Sequence, residues 1–325
     1  MEAALGFRTP CPGVNAGRTP KGHFVIRLHY SADPTLTPEA IEEIRRKQPS
    51  EAHWRKEYEI EPYALQGSLV YPSFDEKVHV LPDEQVVYVD PAKRIKRRGT
   101  LYMALDPHPR TPHAGIWVLI DRWSDWYVYR DMWPSAAYGQ SWNIRDENAD
   151  DPWMVWQYAD AIAQQEGNAI DWRNAETDRE YGKYKKLPLG EDICERYMDQ
   201  AGKGFYDKGE NRSMWNAYYE YGIECTEPYK VHKPGEDAIR ALLEPRKHSL
   251  LGTWPRLHIA ASCRELILEF KRHRYKKMRR INDEKDIHQD GVEARTHLLD
   301  CLRYLATAEI GYSARKESSI YVGTT

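Results

Sequence analysis

No apolar run in the 325 residues approaches the roughly 20 that a membrane-spanning helix needs, so a membrane span is not expected. Residues 1–13, MEAALGFRTPCPG, lack a basic segment followed by an apolar one, and a secretory leader is not expected either. Cysteine is sparse: Cys11, Cys194, Cys225, Cys263 and Cys301 are scattered, with no CxxC pair. An odd count without metal-ligand spacing argues against a disulfide framework or a zinc ribbon and for a reducing compartment. There is no GxSxG, and no cysteine sits in the setting of a known nucleophile, so serine or cysteine hydrolysis is not expected. No internal repeat is present. Charge of either sign is barely in excess, at −3, which by itself announces no nucleic-acid partner.

Aromatic residues and clustered charge are what the chain has in quantity. Hydrophobic residues make up 41%, enough for a sizeable core in one large domain or two ordinary ones. The 11 Trp and 22 Tyr are many for this length and are expected mainly in the core and on sheet faces. Two dense basic runs interrupt the acidic background, Lys93 to Arg98 and Lys271 to Arg280. A lone basic run is usually a solvated helix face, but two together suit a surface turned to phosphate. Arg97, Arg98, Arg272, Arg274, Lys276 and Lys277 are the DNA-binding candidates.

The most ordered-looking stretch is residues 101–120, LYMALDPHPRTPHAGIWVLI. An apolar run of strand length stops on Asp106, a Pro-punctuated loop follows, and a second apolar run begins at Ala114. This predicts a hairpin from the middle of a sheet, with an acid at the end of its first strand. A third strand is expected over 126–130, completing an antiparallel meander. Upstream, residues 1–22 read as loop, 23–30 as a strand, and Thr37-Pro38 as the N-cap and first position of a helix. A second helix is expected from Ser50, and irregular strands over 63–82. Downstream, helices are expected over 152–165, 213–221, 236–243, 262–274 and 294–308. Strands are expected over 193–198, 223–226 and 256–259. Gly222 suits a helix C-terminus, and the tail after Tyr312 is expected to be mobile.

Three carboxylates stand out. Asp106 and Asp199 each end a strand and open a loop, although a turn aspartate is the ordinary alternative for both. Asp171, preceded by Ala169-Ile170, competes with Asp199. Asp300 lies in a helix whose apolar half carries Leu298, Leu299, Cys301, Leu302 and Leu305, with His297, Asp300, Arg303 and Tyr304 on the other half. An amphipathic helix facing water is the plain alternative, yet His, Asp, Arg and Tyr are an odd surface stripe where Lys and Glu are usual. Two strand-end acids and one helical acid could converge on two divalent cations about 4 Å apart, a pair that serves phosphodiester cleavage. Hard oxygen donors favour magnesium or manganese over zinc. His108 and His113 lie near Asp106 but read as ordinary loop histidines.

From His23 to Thr307 the chain resembles the large subunit of tailed-bacteriophage terminases, the DNA-packaging motors. HYSADPTLTPEAIEEI resembles the end of that family's ATPase region, and WRKEYEIEPYALQGSLVYPSFDEKVHVL its link into the nuclease. LYMALDPHPRTPHAGIW and RYMDQAG are similar to its two acidic strands, LHIAASCRELILEFKRHRY to the helix before the last motif, and THLLDCLRYL to the closing helix. The resemblance implies an α/β, ribonuclease H-like mixed sheet flanked by helices. It assigns metal-binding and catalytic roles to Asp106, Asp199 and Asp300, with two Mg2+ or Mn2+ ions, and leaves His297 and Arg303 as supporting residues. It implies a trailing ATPase segment and linker over 1–85, the nuclease over 86–311 and a tail over 312–325. The implied partners are double-stranded DNA, a small terminase subunit, a portal and a separate ATPase chain, in the host cytoplasm. Two departures matter. Thr296 stands where an acid is common in the family. No GxxxxGK[ST] is present, since residues 13–19, GVNAGRT, lack both spacing and lysine, so no ATP hydrolysis is expected.

The expected function is therefore metal-dependent endonucleolytic cleavage of concatemeric viral DNA during packaging. A stand-alone resolvase or transposase-type nuclease would share this chemistry. A non-catalytic DNA-binding or assembly module on the same fold is the alternative of a different class.

Overall fold

The computed structural model describes residues 8–11, 13–18, 24–48, 51, 54–55, 58–59, 69–107, 113–132, 155–172, 182–204, 213–228, 232–248, 252–275 and 296–323. The chain divides into two compact units, Met1–Ser73 with Arg274–Glu293, and Phe74–His273 with Ala294–Thr325.

The first unit holds a three-stranded antiparallel sheet of β1 (Arg8–Cys11), β2 (Val14–Arg18) and β3 (Phe24–Leu28). Two of these strands lie where only loop is expected, because Gly- and Pro-rich sequence carries no clear alternation. Helix α1 (Pro38–Arg46) starts as its sequence dictates: Thr37 accepts from the Ala40 N–H at 3.3 Å, and Pro38 needs no donor at the first turn. Glu59 gathers His29, Tyr30 and the Trp54 indole by hydrogen bonds, and Trp54 stacks on Tyr58 at 4.5 Å. Most of the helix expected from Ser50 lies outside the described residues.

The second unit begins with the short helix α2 (Glu76–His79), β4 (Val80–Leu81), helix α3 (Asp83–Val87) and a hairpin of β5 (Tyr88–Asp90) and β6 (Ile95–Lys96). Over 76–79 the chain is therefore helical where irregular strand is expected. Asp75 sets this turn by accepting from the Lys77 N–H at 2.9 Å. Strands β7 (Arg98–Asp106), β8 (Ala114–Ile120) and β9 (Trp126–Met132) then form the expected antiparallel meander. Both faces of β7 and β8 are buried, which is why their sequences read as continuous apolar runs with no alternation. Gly99 is required at the start of β7, because a Cβ there would collide with the Ile120 carbonyl.

Helix α4 (Val155–Gln165) follows, then a small sheet of β10 (Ala169–Asp171) and β11 (Lys183–Lys185), then β12 (Ile193–Met198). Next come α5 (Met214–Glu220), with Gly222 at φ 78° just past its end, and α6 (His232–Leu243). Residues 223–226 make only an isolated bridge, Tyr197 to Thr226, and no strand. A hairpin of β13 (Arg246–His248) and β14 (Gly252–Trp254) precedes β15 (Leu257–Ala260). Helices α7 (Arg264–Arg272) and α8 (His297–Thr307) complete the helical layer.

The main sheet runs β12-β7-β8-β9-β15-β4, with β12 parallel to β7 and β15 parallel to both β9 and β4. It is a mixed sheet, flanked by helices. Helix α8 packs across β12, β7 and β8. On the opposite face the Trp117 indole donates to Glu166, just beyond α4, and Glu166 is also paired with Arg196 of β12. No helix among the described residues is long and apolar enough to cross a membrane.

The tail contributes a strand to the sheet. Strand β16 (Glu317–Ser319) pairs antiparallel with β7 at Arg98–Thr100, the part of that edge which β12 leaves uncovered. An open edge there would leave backbone groups of a buried strand unpaired. Further ties are the Tyr102 hydroxyl to the Gly311 carbonyl at 2.7 Å and the Tyr321 N–H to Glu191 at 2.9 Å.

Candidate active site at the ends of β7 and β12

Strands β7 and β12 are parallel and in register, Leu105 beside Met198, and the Asp199 N–H donates to the Leu105 carbonyl at 3.3 Å. Asp106 and Asp199 are therefore the next residues of two adjoining strands, which run about 4.8 Å apart. Parallel pairing delivers both carboxylates to the same end of the sheet, the end where open α/β sheets form their sites. Both residues are buried, at 7% and 6% exposure.

Helix α8 lies over this pair and presents His297, Asp300 and Tyr304, spaced by three and four residues along one face. His297 Nδ1 is 2.6 Å from Asp106 Oδ2, and the Tyr304 hydroxyl reaches Asp106 Oδ1 at 3.5 Å. Asp300 pairs with Arg303 at 2.8 Å. Burial pushes the Asp300 carboxyl up to about 6; Arg303 and His297 oppose the shift, while the charges of Asp106 and Asp199 add to it. The same three acids, with burial foremost, push the Tyr304 phenol far up. Thus the charges of Asp106 and Asp199 both reach Asp300. Asp171 is elsewhere, in the β10–β11 sheet, 4.0 Å from Lys185.

Two acids that hold this arrangement escaped the reading of the sequence. Thr296 makes no side-chain cap for α8. Glu269 of α7 does so instead, accepting from the Leu298 and Leu299 N–H groups at 3.3 and 2.8 Å. Asp131 of β9 in turn accepts from the Leu266 N–H in the first turn of α7, at 3.2 Å. Burial raises both, Asp131 to about 7 and Glu269 well above the usual carboxylate range. The signal for Glu269 was present: it is an acid among Leu266, Ile267 and Phe270, on the stripe that the helix buries. An acid on such a stripe needs donors.

The other candidates are placed as follows. His113 is taken up by Tyr218 and Tyr158, its Nδ1 2.7 Å from the Tyr218 hydroxyl and its ring stacked on Tyr158. Lys271 and Arg272 end α7 and are exposed, Lys271 pairing with Glu76 at 3.1 Å. Arg274 is exposed as well, whereas His108, Lys276 and Lys277 lie outside the described residues. Arg98 is exposed and 3.5 Å from Glu317. Arg97 is turned inward, donating to the Val86 and Gln85 carbonyls at 2.9 and 2.8 Å. Its guanidinium is thereby committed to the protein.

Carboxylate oxygens are the donor type that magnesium and manganese prefer. Among the described residues, however, no three His, Cys, Asp or Glu side chains are gathered closely enough to hold a metal ion. Asp106 is instead held by His297 and Asp300 by Arg303. The donors are of the oxygen type that a divalent cation takes, and a cation would relieve the repulsion that adds to the shift of Asp300.

No protein-family model matches the sequence, and no curated protein matches it. Among solved structures, the chain is similar to the large terminase of a thermophilic bacteriophage, with a TM-score of 0.51 at 12% identity, covering 87% of this chain and 55% of that one. The same terminase in complex with ATP-gamma-S gives a TM-score of 0.52 at 12% identity and the same coverage. The P22 large terminase nuclease domain is 13% identical over 75% of this chain and 93% of its own, with a TM-score of 0.42. At these identities the likeness to the thermophilic phage terminase is one of fold, and the chain spans about half the length of the terminase chains it matches there.

Proposed function

We propose that this chain is a metal-dependent endonuclease acting on double-stranded viral DNA in genome packaging. The observation that carries the reading is the side-by-side placement of Asp106 and Asp199 at the ends of adjoining strands, with both charges felt at Asp300. The three carboxylates would hold the cations. Two divalent ions there supply a water nucleophile at neutral pH and charge stabilisation for the leaving oxygen. His297 fixes the orientation of Asp106, and Arg303 holds Asp300. The exposed Lys271 and Arg272 suit contact with backbone phosphate, which positions DNA without reading its sequence. A small terminase subunit, a portal and a separate ATPase chain belong to the same reading as partners.

A non-catalytic packaging module has one observation on its side: His297 and Arg303 already hold two of the acids. Incubating purified protein with supercoiled plasmid and Mg2+ or Mn2+ decides between the two. Nicking that EDTA abolishes is the expected result. DNA binding with no cleavage under either metal would leave the module reading in its place.

A further inference from the structure

Strand β12 delivers Asp199, yet its own sequence pins its register weakly. Ile193 to Arg196 are only half-buried, and the pairing with β7 is irregular between Ile193 and Glu195. On its other edge, among the described residues, β12 has only the single bridge from Tyr197 to Thr226. A strand without a fully buried face is free to slip. A one-residue slip would turn Asp199 to the other face of the sheet, and a two-residue slip would carry it about 6.6 Å along β7. Either would part it from Asp106.

Residues 317–322 oppose that motion in two ways. Strand β16 pairs with β7 at Arg98, Gly99 and Thr100, and the pairing of β12 begins at the next residue, Leu101. The two strands tile one edge of β7, and β16 fills the positions into which β12 would slide backward. The same segment also grips the two residues that precede β12. Ser318 Oγ accepts from the Asp192 N–H at 3.4 Å, and the Tyr321 N–H donates to Glu191 at 2.9 Å. Glu191 is itself fixed to β9, accepting from the Tyr129 hydroxyl at 2.9 Å and from Arg130 at 3.0 and 3.2 Å. The Tyr321 ring lies against Gly167, where a Cβ would come within 2.5 Å of it.

We propose that β16 and Tyr321 are a register clamp for β12, positioning residues that keep Asp199 beside Asp106. The consequence for cleavage rests on the nuclease reading above; the register itself does not.

Amide hydrogen exchange and Mn2+-dependent plasmid cleavage test this on four proteins: the full chain, a chain ending at Lys316, Ser318→Ala combined with Tyr321→Ala, and Tyr321→Phe. In the shortened chain the β12 amides should exchange about tenfold faster, with β8 and β9 unchanged. The Mn2+ concentration for half-maximal cleavage should rise about tenfold, with DNA affinity unaltered, because a displaced Asp199 weakens the cation and leaves the basic surface alone. The double variant, which keeps the β16 ladder and loses the grip, should show both effects in smaller degree. Tyr321→Phe, which keeps the ring and the N–H, should show neither. Wild-type protection of β12 in the shortened chain overturns the proposal, and so does a loosened β12 with an unchanged Mn2+ requirement. Where shortening quickens exchange throughout the sheet, the double variant decides: loss confined to β12 supports the clamp, and uniform loss or none overturns it. If the wild-type chain never cuts DNA, the nuclease reading fails and exchange in β12 alone decides the clamp.

Discussion

The two ends of β7 bury acids in opposite company. At the Asp106 end stand Asp106, Asp131, Asp199, Glu269 and Asp300, all buried or nearly so, with His297 and Arg303 as the basic side chains paired to them. There Asp300 and Asp131 are held up to about 6 and about 7, chiefly by burial, with neighbouring acids adding to it. At the other end Asp121 and Asp125 meet Arg97, Arg246 and His248, at 3.8, 2.6 and 3.3 Å. Burial raises Asp121 too, but backbone donors and Arg97 work against the shift. Where acids are matched to arginines the arrangement serves stability. Where acids are gathered, burial and repulsion raise Asp300, the kind of perturbation that clusters at functional sites.

The comparison breaks most visibly in activity. Asp106→Asn, Asp199→Asn and Asp300→Asn should each lower plasmid cleavage by roughly 10³, about 4 kcal/mol of barrier. Asp171→Ala should stay within a few-fold of wild type. A dead Asp171→Ala beside an active Asp199→Ala would show that the second acid belongs to the β10 strand instead.

The next effect is on stability against pH. Asp131 has a folded value of about 7 and an ordinary carboxylate value when unfolded, so the native state holds a proton that the unfolded chain releases. Its contribution is full below about pH 4, declines as pH rises toward about 7 and is constant above that, a change on the order of 4 kcal/mol. Asp300 and Glu269 slope the same way, so Asp131→Asn should flatten the profile without levelling it. Urea unfolding across this range measures the slope, and an unchanged slope in the variant would show that Asp131 is not its source.

At the arginine end, Asp125→Ala removes the partner of a half-exposed Arg246 and should cost about 2 to 3 kcal/mol in urea unfolding. Cleavage by that variant should be nearly unaltered, which is the sharpest contrast with the acids at the opposite end. Glu269→Ala should cost about 1 to 2 kcal/mol through the lost cap of α8 and should reduce cleavage with it, whereas Glu269→Gln, which keeps an acceptor, should recover most of both. The smallest effect is expected from charge alone. Arg272→Ala with Arg274→Ala should lessen the salt dependence of DNA binding by about one unit of slope per lost phosphate contact. An unaltered slope would make these residues an ordinary solvated surface.

Several of these features were legible in the amino-acid order. The doubly buried run of β7 and β8, the acid closing β7, the Thr37-Pro38 start of α1 and the parallel β12 all follow from local pattern and from the crossover needed between parallel strands. Others were not. The short helix at Glu76–His79 has too few residues for periodicity to separate it from a strand. The polar tail carries no strand pattern, and β16 forms on an uncovered edge of β7 more than 200 residues away, beside the Tyr102 and Ser313 bonds.

By itself, then, the sequence determined which segments must be buried and where an acid interrupts them, because burial and hydrogen-bond demand are properties of each residue and its near neighbours. Only the tertiary structure decided that Arg97 turns inward while Arg98 faces solvent, and that Glu269 supplies the cap Thr296 does not. Only it put Asp199 rather than Asp171 within electrostatic reach of Asp300. Those outcomes depend on which distant element supplies the compensating charge or donor, and sequence spacing carries no record of that.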